Sequence, residues 1–361
     1  MKKLFNAGLV VGKFCPLHQG HQLVIDTAIE QCQDVFVISY TKPEFEGCEP
    51  ETRKLWLDEL YPYVKHLVID DSKLQSICVS MNIPALDVPE NDAAEADHRE
   101  FVGWLCHYVL GAKVDAVFTS ENYGDGFALA LSDYFSVRTS TPVLVRHACI
   151  DKPRTSIPVS GTSIRSNLQA NRQYLAPAVY SDLLCRVAIL GGESSGKTTL
   201  AKSLAEYFKT SWVPEYGREL WEQQDGNLHM ADMLKIAITQ VAKERIIGRE
   251  ARQFLFCDTT PLTTTFYSQE LFGQVDSLLE KLANRNYGHI ILCAPDFEFV
   301  QDGTRQTAEF RARQHLWYID QFKKRGLKYS VARGSIGERV ENISAIIRRD
   351  AAHIAPVHVC I

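Results

Sequence analysis

His18 and His21 stand three residues apart in the run GKFCPLHQGH, Gly12–His21. On a helix that spacing puts both imidazoles on one face. If a helix starts there, its free N–H groups and positive end add to the two rings. Gly12 and Gly20 let backbone come close to a ligand, and Lys13 and Phe14 share the same turn. Such a group can hold a triphosphate and steady charge at an α-phosphorus in flight. It needs no nucleophilic side chain when the acceptor's own phosphate attacks. A metal-binding His pair is the alternative, but no third ligand is evident nearby.

A second phosphate-type element lies far down the chain, VSGTSIRSN at Val159–Asn167. Ser160, Thr162 and Ser163 are hydroxyls at a predicted helix start, where they also suit capping. Arg165 follows and can grip phosphate oxygens with two parallel N–H donors. Each piece alone reads as a cap or as ordinary surface polarity. The two together, about 140 residues apart, read as one ATP site.

The run Gly191-Gly192-Glu193-Ser194-Ser195-Gly196-Lys197-Thr198 fits G-x-x-x-x-G-K-[ST] and continues into Thr199. Its backbone amides would cradle phosphates, Lys197 would reach the β/γ oxygens and Thr198 would ligate Mg²⁺. Asp258 ends the apolar run FLFCD and is the second expected metal ligand or substrate-side acid; a strand-end cap is the alternative. In EYGRE, Glu215 is the expected general base for an acceptor hydroxyl and Arg218 a substrate clamp; a solvated helix start competes almost equally. DGTRQTAEFRAR, Asp302–Arg313, reads as an arginine-bearing lid, with Arg305 as its phosphate contact; a solvated charged helix is the alternative. The chain has no N-K-x-D guanine-reading run, so a kinase is favoured over a GTPase.

These residues need particular elements beneath them. Ala7–Val11 reads as a strand feeding the first turn, and a helix follows through Ile29. Arg186–Leu190 reads as a strand feeding the second turn, with a helix over Thr198–Phe208. Strand, phosphate turn and helix open a doubly wound α/β domain. Two such openings predict two nucleotide-binding domains with mainly parallel sheets, one Rossmann-like and one of P-loop type. Further strands are expected at Val35–Tyr40, Leu67–Ile69, Ala116–Thr119, Val143–His147, Trp212–Val213, Phe254–Cys257 and His289–Cys293. Helices are expected at Glu51–Leu60, Glu95–Leu110, Met230–Arg249, Ala308–Lys324 and Glu338–Arg349. The proline-centred stretch NRQYLAPAVYS marks the boundary. It gives a first domain over 1–172, a linker over 173–184 and a second domain over 185–361.

The 361 residues suit two cores rather than one. A net charge of −5 makes no electrostatic case for wrapping nucleic acid. Ten cysteines, none in a C-x-x-C pair, read as reduced thiols of a cytoplasmic protein. No signal peptide or membrane span is evident.

At GKFCPLHQGH and VSGTSIR the sequence resembles the nucleotidylyltransferase superfamily, marked by HxGH and ISxTxxR. The resemblance implies that His18 and His21 contact ATP phosphates, and that Ser160, Thr162, Ser163 and Arg165 bind departing pyrophosphate with Mg²⁺ assisting. Over nearly the whole chain, with ETRKLWL, SENYGD, DKPR, GGESSGKTTL, EYGRE and DGTR, it resembles the NadR-type bifunctional family. That implies a nicotinamide-nucleotide adenylyltransferase (NMN adenylyltransferase) joined to a ribosylnicotinamide kinase. The implied substrates are ATP, NMN and nicotinamide riboside, with a homo-oligomer possible. Some members carry an N-terminal DNA-binding module; the first motif here starts at residue 12, so DNA binding is not expected. Trp56 and Trp104 are candidate walls for the cationic pyridinium, with core packing the competing role, favoured for Trp104. Phe299 stands where the family usually has tryptophan and keeps an aromatic face for stacking. Two other readings stay open: a phosphopantetheine adenylyltransferase fused to dephospho-CoA kinase, and a sensor that binds NAD or ATP without turnover.

Overall fold

A computed structural model describes residues 3–121, 123–299 and 306–353, side chains of 351–353 excepted. The chain divides into two compact units, Met1–Val179 and Tyr180–Ile361.

The first unit runs β1 (Phe5–Val11), α1 (Gln19–Gln31), β2 (Cys32–Ser39), α2 (Pro50–Leu60), β3 (Lys65–Val68), α3 (Asp71–Met81), α4 (Glu95–Trp104), β4 (Ala116–Thr119), α5 (Gly124–Thr139), β5 (Arg146–Cys149), α6 (Gly161–Ser166) and α7 (Pro177–Leu183), the last crossing the division. Its five strands pair in parallel in the order β3-β2-β1-β4-β5. The crevice between β1 and β4 lies where the strand order reverses, and such crevices bind ligands.

The second unit runs β6 (Cys185–Leu190), α8 (Lys197–Phe208), β7 (Trp212–Val213), α9 (Tyr216–Gln223), α10 (Met230–Gly248), β8 (Phe254–Asp258), α11 (Pro261–Phe272), α12 (Ser277–Ala283), β9 (His289–Cys293), α13 (Ala308–Lys324), β10 (Ser330–Ala332) and α14 (Ile336–His353). Its sheet is also parallel, in the order β10-β9-β6-β8-β7. The apolar run of β6 shows why it is central. Val187 and Ile189 pack with Leu200, Leu204 and Ile343, while Ala188 and Leu190 pack with Leu262 and Tyr318. Successive side chains point to opposite faces, so a strand buried on both must be apolar throughout.

The two parallel α/β sheets agree with the expected fold class. The elements differ in three ways. The expected strand at Val143–His147 begins only at Arg146. Ser136 and Ser132 of α5 accept the backbone N–H groups of Val143 and Val145 at 2.8 and 2.9 Å, which holds that segment against the helix instead of the sheet. The expected helix Glu95–Leu110 is α-helical only to Trp104, then widens into a π-turn over Leu105–Val109, with Leu110 N–H reaching Leu105 O. Helices α3, α5, α7, α11 and α12 and strand β10 were not expected. In α5 Phe127, Leu131 and Phe135 face inward while Leu129 and Val137 are exposed, so apolar residues fall on both faces and the periodic signal cancels.

Candidate active sites

The first site is a cavity of about 410 Å³ at the carboxyl ends of β1 and β4. His18 sits at the N-cap of α1, and the two histidines cap that helix between them. His21 N–H donates to His18 Nδ1 and His18 N–H to His21 Nδ1, each at 3.4 Å. The rings stack with centroids 3.7 Å apart. An Nδ1 that accepts leaves Nε2 to carry the proton of a neutral ring. Each histidine therefore offers one Nε2–H donor. Burial, reinforced by the Arg154 charge, pushes His18 down to about 4, and burial with His18 and Arg154 holds His21 well below the ordinary range. Near neutral pH both rings are uncharged donors. Burial also lowers the Lys13 ammonium, against the pull of Cys15 and with the push of Arg165.

Ser160 caps α6 and exchanges hydrogen bonds with Ser163 at 3.1 Å in both directions. The Arg165 guanidinium donates to the Cys15 carbonyl and, at 3.3 Å, to Thr162 Oγ1, and it lies 4.4 Å from the Phe45 ring centre. Gly12, Lys13, Phe14, His18, His21, Ser160, Thr162 and Arg165 all line the cavity. Ser163 does not: its hydroxyl is engaged in the cap. Trp56, expected as a pyridinium wall, is 0% exposed in the core and lies outside the lining, and Trp104 is buried as well. Both indoles therefore pack inside the unit.

The cavity also takes in residues to which the motifs gave no role. Glu121 pairs with Arg154 at 2.7 Å, and Thr119, Ser120, Tyr123 and Asp151 complete that side. SENYGD and DKPR were the signals for them.

In the second unit β6 feeds the turn Gly191–Gly196, which enters α8 at Lys197. Lys197 Nζ and Ser195 Oγ both donate to the Gly192 carbonyl, at 3.0 and 2.7 Å, curling the loop on itself. Ser194 lies in this turn and Thr199 is exposed in the first turn of α8. Glu193 is held by neighbouring elements. Its N–H donates to Gln314, and its carboxylate accepts from Tyr267 and from Gln306 N–H.

Asp258 lies beside Ile189 in the β6–β8 register, and Thr198 donates to its Oδ2 at 2.5 Å. Oδ1 is buried with no hydrogen-bond partner among the described residues. A hydroxyl beside an unsatisfied carboxylate oxygen fits Mg²⁺, which takes one or two protein ligands and completes its shell with phosphate and water. Burial raises the Asp258 carboxyl, opposed by Lys197 and by the Thr198 hydrogen bond. Burial raises Glu215 too, opposed by Lys197 and helped by the nearby Asp258 charge. Arg218 lies 4.0 Å from Glu215. Phe299 stands under the Arg311 guanidinium, 5.3 Å away. Arg305 lies outside the described residues.

One residue of this site carried no sequence signal. Arg339 is fully buried and donates to the carbonyls of Ser195, Ala294 and Gly334 at 2.7, 2.9 and 3.0 Å, pinning the phosphate turn to the end of β9.

A family model described as an AAA domain matches residues 186–339. The chain is 25% identical to the trifunctional NAD biosynthesis/regulator protein NadR of Salmonella typhimurium, over 90% of this chain and 78% of that one. It is 27% identical to the protein of the same name from Escherichia coli, over 82% and 71%. In fold it matches a crystal structure of NadR protein in complex with NR (TM-score 0.64, 20% identity, 100% and 99% covered). It also matches one in complex with NAD and AMP-PNP (TM-score 0.63, 21% identity, 99% of each). In sequence over most of its length and in fold throughout, the chain is similar to the NadR proteins.

Proposed function

We propose that this chain carries two consecutive steps of NAD synthesis. The second unit phosphorylates nicotinamide riboside on its 5′-hydroxyl with ATP. The first unit then joins the mononucleotide to AMP from a second ATP, releasing pyrophosphate. The observation that carries this reading is that each unit of a chain similar to NAD-biosynthesis proteins over 90% of its length holds its own phosphate-binding turn. We assign both steps to the cytoplasm; no helix among the described residues is long and apolar enough to cross a membrane.

In the first unit an oxygen of the mononucleotide phosphate attacks the α-phosphorus of ATP, and the bond to the β-phosphate oxygen breaks. His18 and His21 supply uncharged Nε2–H donors to the oxygens on which charge builds. Arg165, Lys13 and Thr162 receive the leaving pyrophosphate. In the second unit the riboside hydroxyl attacks the γ-phosphorus, the bond to the β-phosphate oxygen breaks to release ADP, and Glu215 takes the hydroxyl proton. Lys197 leaves the Gly192 carbonyl to follow the β/γ oxygens. Arg218 holds the riboside. Thr198 and Asp258 would hold Mg²⁺, which neutralises phosphate charge.

His21→Ala should abolish dinucleotide formation and leave riboside phosphorylation intact, and Lys197→Ala should do the reverse. Both are read by mass spectrometry of reactions with Mg-ATP and either nicotinamide riboside or NMN. Loss of both activities from one folded variant, or pyrophosphate release with phosphopantetheine and not with NMN, would overturn the reading.

A further inference from the structure

At the end of β4, outside the histidine–arginine grip, one imidazole ties three elements together. His147, on β5, has its ring 8% exposed. Its Nδ1 lies 2.8 Å from Asp125 Oδ1 in the first turn of α5. Its Nε2 lies 2.8 Å from Thr119 Oγ1 at the end of β4. With Nδ1–H donated to the carboxylate, Nε2 of the neutral ring accepts the Thr119 hydroxyl. Thr119 Oγ1 is then free to accept from Glu121 N–H at 3.3 Å. The chain of bonds runs one way: Glu121 N–H to Thr119, Thr119 to His147, His147 to Asp125.

A separate observation says that this ring was given its place. A Cβ on Gly124 would lie 2.0 Å from His147 Nε2 and 2.2 Å from Cε1. The ring lies directly on the backbone of the residue that opens α5, so only glycine fits beneath it. Hydrogen bonding fixes the ring's plane and Gly124 fixes its depth. Thr119 and Glu121, held this way, line the first site, and Ser120 and Tyr123 beside them in sequence line it too. They bring a carboxylate and several hydroxyls, the groups that suit a ribose diol, and none of them belongs to the α1–α6 phosphate grip.

We infer that His147, seated on Gly124, is a positioning residue for adenylyl transfer. It sets the wall of Thr119, Ser120, Glu121 and Tyr123 against which the nucleoside part of a substrate nucleotide rests. The inference rests on the adenylyltransferase reading. It concerns binding, since His147 is not among the residues lining the cavity.

The test measures KM and kcat for ATP and for NMN in the full chain carrying His147→Ala, His147→Gln, Gly124→Ala, and His147→Ala with Gly124→Ala. In His147→Ala the KM of at least one nucleotide should rise about tenfold while kcat stays within about threefold. His147→Gln, which still offers a donor and an acceptor, should recover most of the loss. Gly124→Ala should copy His147→Ala by displacing the ring. The pair should cost no more than either change alone, because both remove the same contact. A retained kcat for dinucleotide formation reports that the first unit is folded, and riboside phosphorylation by the same preparations reports the second. A fall in kcat with both KM values unmoved, unchanged kinetics, or additive costs in the pair would overturn the inference. If the unsubstituted chain makes no dinucleotide, it is the adenylyltransferase reading that fails.

Discussion

Arg165 donates through its guanidinium to the carbonyl of Cys15, joining the two halves of the first site across 150 positions of sequence. The approach is close enough that a Cβ on Gly161 would lie 2.8 Å from the same carbonyl oxygen. The α6 turn and the turn after β1 therefore form one surface, with Arg165 at the seam.

That seam makes a prediction about geometry as well as charge. Lysine keeps the charge but cannot serve the Cys15 carbonyl, Thr162 and a phosphate together, as a planar guanidinium can. Arg165→Lys should lower adenylyl-transfer kcat by about a hundredfold, the usual cost of one preorganised donor. Riboside phosphorylation should not change. A variant within threefold of the unsubstituted chain would show that charge alone suffices.

The buried histidines predict an acid sensitivity. Their ordinary value is 6.5, and in the folded chain His18 sits at about 4 with His21 also well below the ordinary range. Between those values the unfolded chain binds more protons than the folded one, so stability falls as pH falls from 6.5. Above that range both rings are neutral in either state and the contribution is flat. His18→Gln removes one of the two groups. Calorimetry from pH 7.5 to 5 should show the variant losing less stability than the unsubstituted chain, and parallel curves would refute the assignment.

Asp258 predicts a metal phenotype. Asparagine keeps an oxygen for the Thr198 hydroxyl but removes the charge that would hold a cation beside it. Asp258→Asn should raise the Mg²⁺ concentration needed for half-maximal riboside phosphorylation by about tenfold or more. Dinucleotide formation from supplied NMN, titrated in the same preparations, should keep its Mg²⁺ dependence. An unchanged kinase midpoint would remove Asp258 from the metal site.

Much of this was legible in local sequence. His18, His21 and Lys197 announce themselves because phosphate-binding turns fix residue types at fixed spacing. The strands beneath them read clearly because β6 is buried on both faces. What was illegible depends on distant contacts. Arg339 reaches the phosphate turn from 144 positions away, out of a helix with no motif. Trp56 read as a ligand wall because its size and aromaticity suit one, but only the packing around α2 reveals that it is sealed in the core. Ser163 read as a phosphate ligand because a hydroxyl at a helix start can serve either backbone or phosphate, and here backbone takes it.

Glu215 carries the last prediction, because a general base must be ionised to work. Burial holds its carboxyl above the ordinary 4.5, Asp258 adds repulsion, and Lys197 and Arg218 pull the other way. The upward pull prevails, so the acid limb of the kinase profile should lie above the range of an exposed glutamate. kcat/KM for riboside phosphorylation should rise with pH along a single ionisation on that side. Glu215→Gln keeps the size and the hydrogen-bonding capacity but cannot accept the proton. It should lower kcat by 10² to 10⁴, the usual worth of a positioned base, and flatten the acid limb. A lower rate with the limb still present would assign the ionisation to another group, with Asp258 the first to test. An unchanged rate would mean that the hydroxyl loses its proton without help from this carboxylate.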